Sequence, residues 1–307
     1  MKQYIIGVDG GGTKTLGVLF DLEGKELKRV TKGYGNFCVN ASDTICHLKE
    51  VLVEITNDID KSLIAMIEIG IAGYLSYPGK ESLIKDLEKQ FNTELSIVTD
   101  AEIALYSVKK YQKKDTIMVL GGTGSVVMVE QNNDIKFIGG YGHLLGDEGS
   151  GYHLAIKALK NIIDQHEEAD LITPLTKSIL KEIGTHEYRE IKLFVYNNPK
   201  SVIATLSNFI ANHAINNDLE AIKLFVDEGK LLAKQTISAY KILKSKDAVL
   251  IGIKGGFLLN APYVKETLIK ELNKAGLKYI MDETPLEPVF GAYYLAKRNL
   301  EKRQLYA

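Results

Sequence analysis

Residues 3–15 read QYIIGVDGGGTKT, and residues 117–125 read IMVLGGTGS. In both stretches a short apolar run rich in β-branched residues ends in glycines and hydroxyl residues, and a second apolar run follows at once. The run over residues 3–8 stops at Gly10–Gly12, Leu16–Phe20 follows, and the polar turn Asp21–Gly24 leads to a third strand over Glu26–Thr31. The second copy places strands at Ile117–Leu120, Ser125–Glu130 and Ile135–Ile138, with turns at Gly121–Gly124 and Asn132–Asn133. Two hairpins in succession, occurring twice, predict two similar folded halves.

Between these copies the period changes. Asp43–Asn57 and Glu81–Phe91 carry apolar residues at helical spacing, and Ile67–Ala72 and Leu95–Val98 read as buried strands. Strands alternating with helices predict an α/β fold with a parallel or mixed sheet. Beyond residue 150 the pattern is mostly helical: Tyr152–Gln165, Leu171–Ile183, Ile203–Asn216 and Leu219–Leu243. A strand over Ala248–Ile253 precedes Gly255 and Gly256, and a last helix over Phe290–Arg303 begins beyond Pro285 and Pro288. The charged cluster Lys109–Asp115 is the expected boundary. A chain of 307 residues suits two domains, because a domain usually holds about 100–200 residues.

Composition narrows the class. Hydrophobic residues make up 45% and charged residues 25%, the mix of a globular protein. The net charge of −1 argues against a coat for nucleic acid or anionic membrane. Two cysteines, Cys38 and Cys46, cannot build a disulfide framework and suit a reducing cytosol. The first apolar run stops at Asp9, too short for the core of a secretory leader. No stretch reaches the roughly 18 apolar residues of a membrane span. A cytoplasmic protein without a membrane or nucleic-acid partner is the expectation.

The glycine turns invite phosphate. Glycines directly after a strand permit positive φ and leave backbone N–H groups uncovered, and Thr13, Lys14 and Thr15 add donors. The match to a P-loop fails, because Thr13 separates Gly12 from Lys14 and a strand follows instead of a helix. No G-x-G-x-x-G occurs, so a dinucleotide fold is unsupported. A tight hairpin explains Gly10–Gly12 equally well on spacing alone. Asp9, at the strand end beside the turn, suits a Mg²⁺ held through water. The turn Gly121–Ser125 repeats this chemistry.

The segment Gly139–Gly151, GGYGHLLGDEGSG, holds six glycines in 13 residues and packs poorly as either regular element. It reads as a functional loop in which Asp147, Glu148 and Ser150 precede a helix. That helix start suits a negative ligand group, and Asp147 suits sugar hydroxyls. A glycine hinge with helix caps is the alternative. Asp100 reads either as a helix N-cap, with the helix starting near Glu102, or as a general base. The six histidines show no zinc spacing and no G-x-S-x-G elbow occurs. Tyr293 and Tyr294 read as packing residues.

Taken in order, DGGGTKT at Asp9–Thr15, TDAEIAL at Thr99–Leu105, GGTGS at Gly121–Ser125 and GGYGHLLGDEGSGY at Gly139–Tyr152 resemble the N-acetylglucosamine kinase family and its bacterial relatives acting on N-acetylmuramic acid. The resemblance runs from Ile5 to PVFGAYYLA at Pro288–Ala296. That family sits in the acetate and sugar kinase, heat-shock chaperone and actin superfamily. The resemblance implies two ribonuclease-H-like, actin-like ATPase domains around a central cleft. Residues 1–115 with the helix 290–307 would form one, and 116–289 the other. It implies an ATP-dependent kinase for the 6-hydroxyl of an amino sugar, in cell-wall sugar recycling, with ATP and Mg²⁺ and, by analogy, as a homodimer.

By the same resemblance, Asp100 is the catalytic base and Asp9 lies near the metal. Gly11, Gly12, Thr13, Lys14, Thr123, Gly124, Gly255 and Gly256 contact the nucleotide. Asn36 in GYGN, Gly73, Asp100, Tyr141, Gly142 and Asp147 contact the sugar. The family commonly has tryptophan where Tyr141 stands, small or polar residues where Lys254 stands, and serine where Gly121 stands. Glucosamine is an alternative acceptor. The same branch includes ATPases that activate reductases or dehydratases through an iron–sulfur cluster, for which Cys38 and Cys46 are poorly placed.

Overall fold

The apolar run after residue 3 is strand β1 (Tyr4–Gly10), and the glycine turn returns the chain into β2 (Thr15–Asp21) and then β3 (Glu26–Lys32). The computed structural model describes residues 2–132, 134–169, 171–282 and 286–306. Asn133 of the expected second hairpin turn and Pro285 lie outside the described residues. The chain forms two compact units: Met1–Lys113 with Thr284–Ala307, and Lys114–Glu283.

In the first unit α1 (Ala41–Thr56), β4 (Ile64–Ile71), α2 (Lys80–Phe91), β5 (Leu95–Val98) and α3 (Asp100–Lys109) follow. Among the described residues the sheet has five strands in the order β3-β2-β1-β4-β5. The β1–β2 and β2–β3 pairs are antiparallel, and β1–β4 and β4–β5 parallel. Successive residues of β1 serve opposite faces. Ile6 and Val8 join Leu48, Val51 and Leu52 of α1, whereas Ile5 joins Phe20, Val289 and Tyr293. Helices cover both faces, so the strands read as continuous apolar runs. Tyr293 is 2% exposed and packs in this core.

In the second unit β6 (Thr116–Gly121), β7 (Ser125–Gln131) and β8 (Asp134–Gly139) precede a helical stretch. This comprises α4 (Gly151–Ala169), α5 (Pro174–Glu182), α6 (Ile191–Asn197), α7 (Lys200–Ile215) and α8 (Leu219–Leu243). Then come β9 (Val249–Lys254), α9 (Gly256–Asn260), α10 (Val264–Lys274) and β10 (Tyr279–Asp282). Helix α11 (Pro288–Tyr306) belongs to the first unit. The second sheet runs β10-β9-β6-β7-β8 among the described residues. Read from its other edge, it repeats the first: a double hairpin, then two parallel strands beside the opening strand. This is the expected α/β pair of mixed sheets of the ribonuclease-H-like, actin-like ATPase class.

Several boundaries differ from the sequence reading. The helix expected from Leu171 starts at Pro174, where Thr173 caps it by accepting the Thr176 N–H. The helix expected from Ile203 starts at Lys200, behind Pro199. The helices α6, α9 and α10 and the strand β10 were not anticipated. Among the described residues no helix is long and apolar enough to cross a membrane.

Candidate active site

Parallel strands deliver their carboxyl ends to one edge, where the following loops are free to bind ligand. In the first unit Gly10 pairs with Ile71, and Gly70 with Val98. The segments after β1, β4 and β5 therefore leave the same edge. They carry Asp9 with Gly11–Lys14, then Gly73, then Asp100. The GYGN run joins them, because the Gly35 N–H donates to the Gly11 carbonyl at 2.8 Å and Asn36 bridges to Ala72.

The glycines of the first turn act differently from the expectation. Gly10, Gly11 and Gly12 are absent from the positive-φ residues. A Cβ on Gly10 would meet Ile71 at 2.7 Å, so that glycine serves packing. A Cβ on Gly12 would meet nothing within 4 Å, and one on Gly11 only the Lys14 carbonyl at 3.9 Å. Neither conformation nor packing demands glycine at these two positions, and the bare backbone leaves room for close approach. The Gly11 N–H closes the turn onto the Lys14 carbonyl at 3.0 Å, while those of Gly12 and Thr13 have no acceptor among the described residues. Thr15 is buried, and its Oγ1 also lacks a partner among the described residues.

Asn36 and Gly73 are brought together. Gly73 has φ +73°, and a Cβ there would sit 3.0 Å from Asn36 Oδ1 and 2.8 Å from the Cys38 nitrogen. The Asn36 Oδ1 accepts the Cys38 N–H at 2.9 Å. This fixes the amide plane and leaves its NH₂ end as the donor for a ligand.

Asp100 is not the helix cap. Thr99 caps α3: its hydroxyl accepts the Glu102 N–H, and Glu102 Oε2 accepts the Thr99 N–H, each at 3.1 Å. Asp100 is then the first helical residue, two positions before the expected start. Burial pushes its carboxyl above the usual aspartate range, partly offset by hydrogen bonds from the backbone N–H groups of Ala101 and Asp100 itself. A half-buried carboxylate freed from capping is suited to taking a proton.

In the second unit the turn Gly121–Ser125 and the residues after β9 leave the corresponding edge, with Leu120 paired to Lys254 and Gly121 to Ser125. Gly122 parallels Gly12: no positive φ, and nothing within 4 Å of a Cβ. Gly255 and Gly256 divide their tasks. Gly255 has φ +101°, and a Cβ would overlap the Gly121 carbonyl, so it seats β9 against the turn. Gly256 instead lines an open cleft of about 390 Å³ with Gly122, Thr123, Gly151, Ser201, Thr205, Asn208 and Phe257. That volume lies within the roughly 300–1,000 Å³ of small-ligand pockets. Sequence reading missed the wall from α7. Its signal is a polar stripe at i, i+4 and i+7 (Ser201, Thr205, Asn208) on a helix whose other positions are largely apolar.

The glycine-rich loop is held from beneath. Buried Glu228 on α8 accepts the Gly149 N–H at 2.7 Å and pairs with His153 Nδ1 at 2.9 Å. Hydrogen bonding to Glu228 raises the His153 pKa above its usual value, against the opposing effect of burial. The start of α4 is less available to an anion than expected. The Gly151 N–H donates to the Gly122 carbonyl at 2.9 Å, and the His153 N–H to Ser150 Oγ at 3.2 Å. Asp147, 4% exposed at φ +65°, takes the Ser125 N–H at 3.2 Å and the Lys200 ammonium at 2.5 Å. Tyr141 is 73% exposed on the same loop. A Cβ on Gly142 would meet nothing, but its φ of +80° already favours glycine. Cys38 and Cys46 are exposed and free.

Residues 6–296 match the model of the BadF/BadG/BcrA/BcrD ATPase family. An N-acetylmuramic acid/N-acetylglucosamine kinase of Clostridium acetobutylicum is 28% identical over 97% of this chain and 100% of its own length. An N-acetyl-D-glucosamine kinase of Dictyostelium discoideum is 26% identical over 96% of this chain and 98% of its own. A solved structure from Chromobacterium violaceum, described as a candidate N-acetylglucosamine kinase, shares the fold. Its TM-score is 0.71 at 21% identity, covering 96% of this chain and 99% of that one.

Proposed function

The chain belongs to the BadF/BadG/BcrA/BcrD ATPase family, and we propose that it transfers the γ-phosphoryl group of ATP to the 6-hydroxyl of N-acetylglucosamine, with N-acetylmuramic acid as a second acceptor. The observation that carries this reading is Asp100, a half-buried carboxylate relieved of capping by Thr99 at the edge that also holds the first glycine turn, Asn36 and Gly73. The names of the Clostridium and Dictyostelium relatives support the acceptor.

In this reading the first unit supplies Asn36 and Gly73 to the sugar, and Gly11–Lys14 to the phosphates. The second supplies Thr123, Gly124 and Gly256 to the nucleotide, and Tyr141, Gly142 and Asp147 to the sugar. Asp100 accepts the hydroxyl proton as the sugar oxygen bonds to the γ-phosphorus and the bond to the ADP oxygen breaks. Such a base contributes about 10²–10⁴-fold in rate, the remainder coming from positioning and charge. Among the described residues no group of three or more His, Cys, Asp or Glu forms a metal cage. A single carboxylate, Asp9, fits an ion that takes its other ligands from phosphate and water, as Mg²⁺ does. Mg²⁺ would neutralise phosphate charge there. A cytoplasmic role in recycling cell-wall sugars, as a homodimer, completes the proposal.

The test is the product. After incubation with Mg²⁺-ATP and N-acetylglucosamine, phosphorus–proton correlation spectroscopy should show one phosphate ester on the C6 methylene. Absence of any phosphorylated sugar, or an ester at C1, would refute the assignment.

A further inference from the structure

The first glycine turn contains its own cation, Lys14, between Gly12 and β2. The second turn, GGTGS between the equivalent strands β6 and β7, contains none. A cation reaches it from elsewhere in the same unit. The Lys200 ammonium lies where a side chain on Gly124 would be: a Cβ there would sit 2.7 Å from Nζ and 2.9 Å from Asp147 Oδ1. A side chain on Gly124 would force this pair to shift.

Asp147 holds the ammonium at 2.5 Å, the one acceptor of Lys200 among the described residues. An ammonium carries three donors, so two remain. The Lys200 side chain is 30% exposed while that of Asp147 is 5%, so the cation faces outward from a buried anchor. Lys200 also opens α7, whose next residues, Ser201 and Thr205, line the cleft with Gly122 and Thr123. The N–H groups of Thr123 and Gly124 have no acceptor among the described residues. Uncovered N–H groups, a hydroxyl and an anchored cation at one turn are the donors that polyphosphate binding requires.

We propose that Lys200 is the cation of the second glycine turn: held by Asp147, it contacts the terminal phosphates of the bound nucleotide. The assignment rests on the reading of the second unit as a nucleoside triphosphate site, and it gives Asp147 a task besides any hydroxyl it binds. Lys200 lies 53 positions from Asp147 in sequence, beyond the reach of motif reading.

The test is calorimetric titration of wild type, Lys200→Met and Lys200→Arg with a non-hydrolysable ATP analogue, ADP and adenosine, all with Mg²⁺. Lys200→Met should weaken the analogue about tenfold or more, since a charge-assisted contact is lost. Adenosine should stay within about twofold, and Lys200→Arg should stay near wild type for all three. If Lys200→Met does not fold because Asp147 is left buried without its partner, Lys200→Met with Asp147→Asn removes both charges and must show the same discrimination. Equal losses for all three ligands, or no loss, would overturn the assignment while leaving nucleotide binding intact. Wild-type protein that binds none of the three would overturn both this assignment and the kinase reading.

Discussion

Asp100, half-buried at the start of α3, and Glu68, fully buried on β4, are carboxylates whose environments point to different tasks. Asp100 stands at the edge where ligand would arrive. Asp100→Asn should lower kcat about 10²–10⁴-fold. The melting temperature should hold, because Thr99 and Glu102 provide the cap. Since burial raises its pKa, the acid limb of kcat/KM should lie above the ordinary aspartate range, with activity falling as pH drops through it. Glu68 lies on β4 with no exposure, and it accepts a hydrogen bond from Asn299 Nδ2 at 3.0 Å. Its Oε1 has no partner among the described residues. Burial pushes its pKa up to about 7 from 4.5, with Ser96 and Asn299 opposing and the charge of Glu102 adding. A raised acid favours folding below its unfolded pKa, and that contribution is lost as pH rises through the folded value. Glu68→Gln should therefore melt with the wild type near pH 4.5 and several degrees above it at pH 8.5, measured by thermal unfolding. Identical melting curves at both pH values would refute this. The ambiguity of Asp100 in the sequence was local. Thr and Asp both cap helices, and only the reciprocal Thr99–Glu102 bonds decide between them.

At the scale of elements, the glycine-rich loop depends on a buried anchor it does not contain. Glu228 lies 79 positions from Gly149, so the anchor was invisible in the motif while the loop itself was plain from composition. Glu228→Gln keeps an acceptor for the Gly149 N–H but loses the ion pair to His153. A histidine whose pKa rises on folding stabilises fully below its unfolded pKa of about 6.5, and loses that contribution as pH rises through the folded value. The stability gap between wild type and Glu228→Gln should thus be larger at pH 6 than at pH 9 in chemical denaturation. A gap independent of pH would show that the pair carries no charge. Other elements escaped for physical reasons. β10 is a four-residue edge strand, too short for alternation to register. α9 follows Gly255, whose conformation looks like a turn until its contact with Gly121 is known. The helices α4 and α8 were legible because their apolar spacing runs over 19 and 25 residues.

At the scale of the molecule, the repeated double hairpin was the most informative signal. Glycine turns flanked by apolar runs fix β1–β3 and β6–β8, and the identical strand order of the two sheets follows once β4 and β9 align parallel beside the opening strands. The helix α7 and its polar stripe were in the sequence, but that it walls the cleft and brings the Lys200 ammonium to the second turn depends on packing between distant segments. The repeat places one glycine turn on each unit, after β1 and after β6. The most direct measurement is ADP release under saturating Mg²⁺-ATP with N-acetylglucosamine, N-acetylmuramic acid, glucosamine, glucose or no sugar. Turnover that requires an N-acetyl sugar, at least about a hundredfold above the sugar-free rate, is predicted, since the attacking hydroxyl must be positioned for transfer. ADP release at the same rate with and without sugar would contradict it.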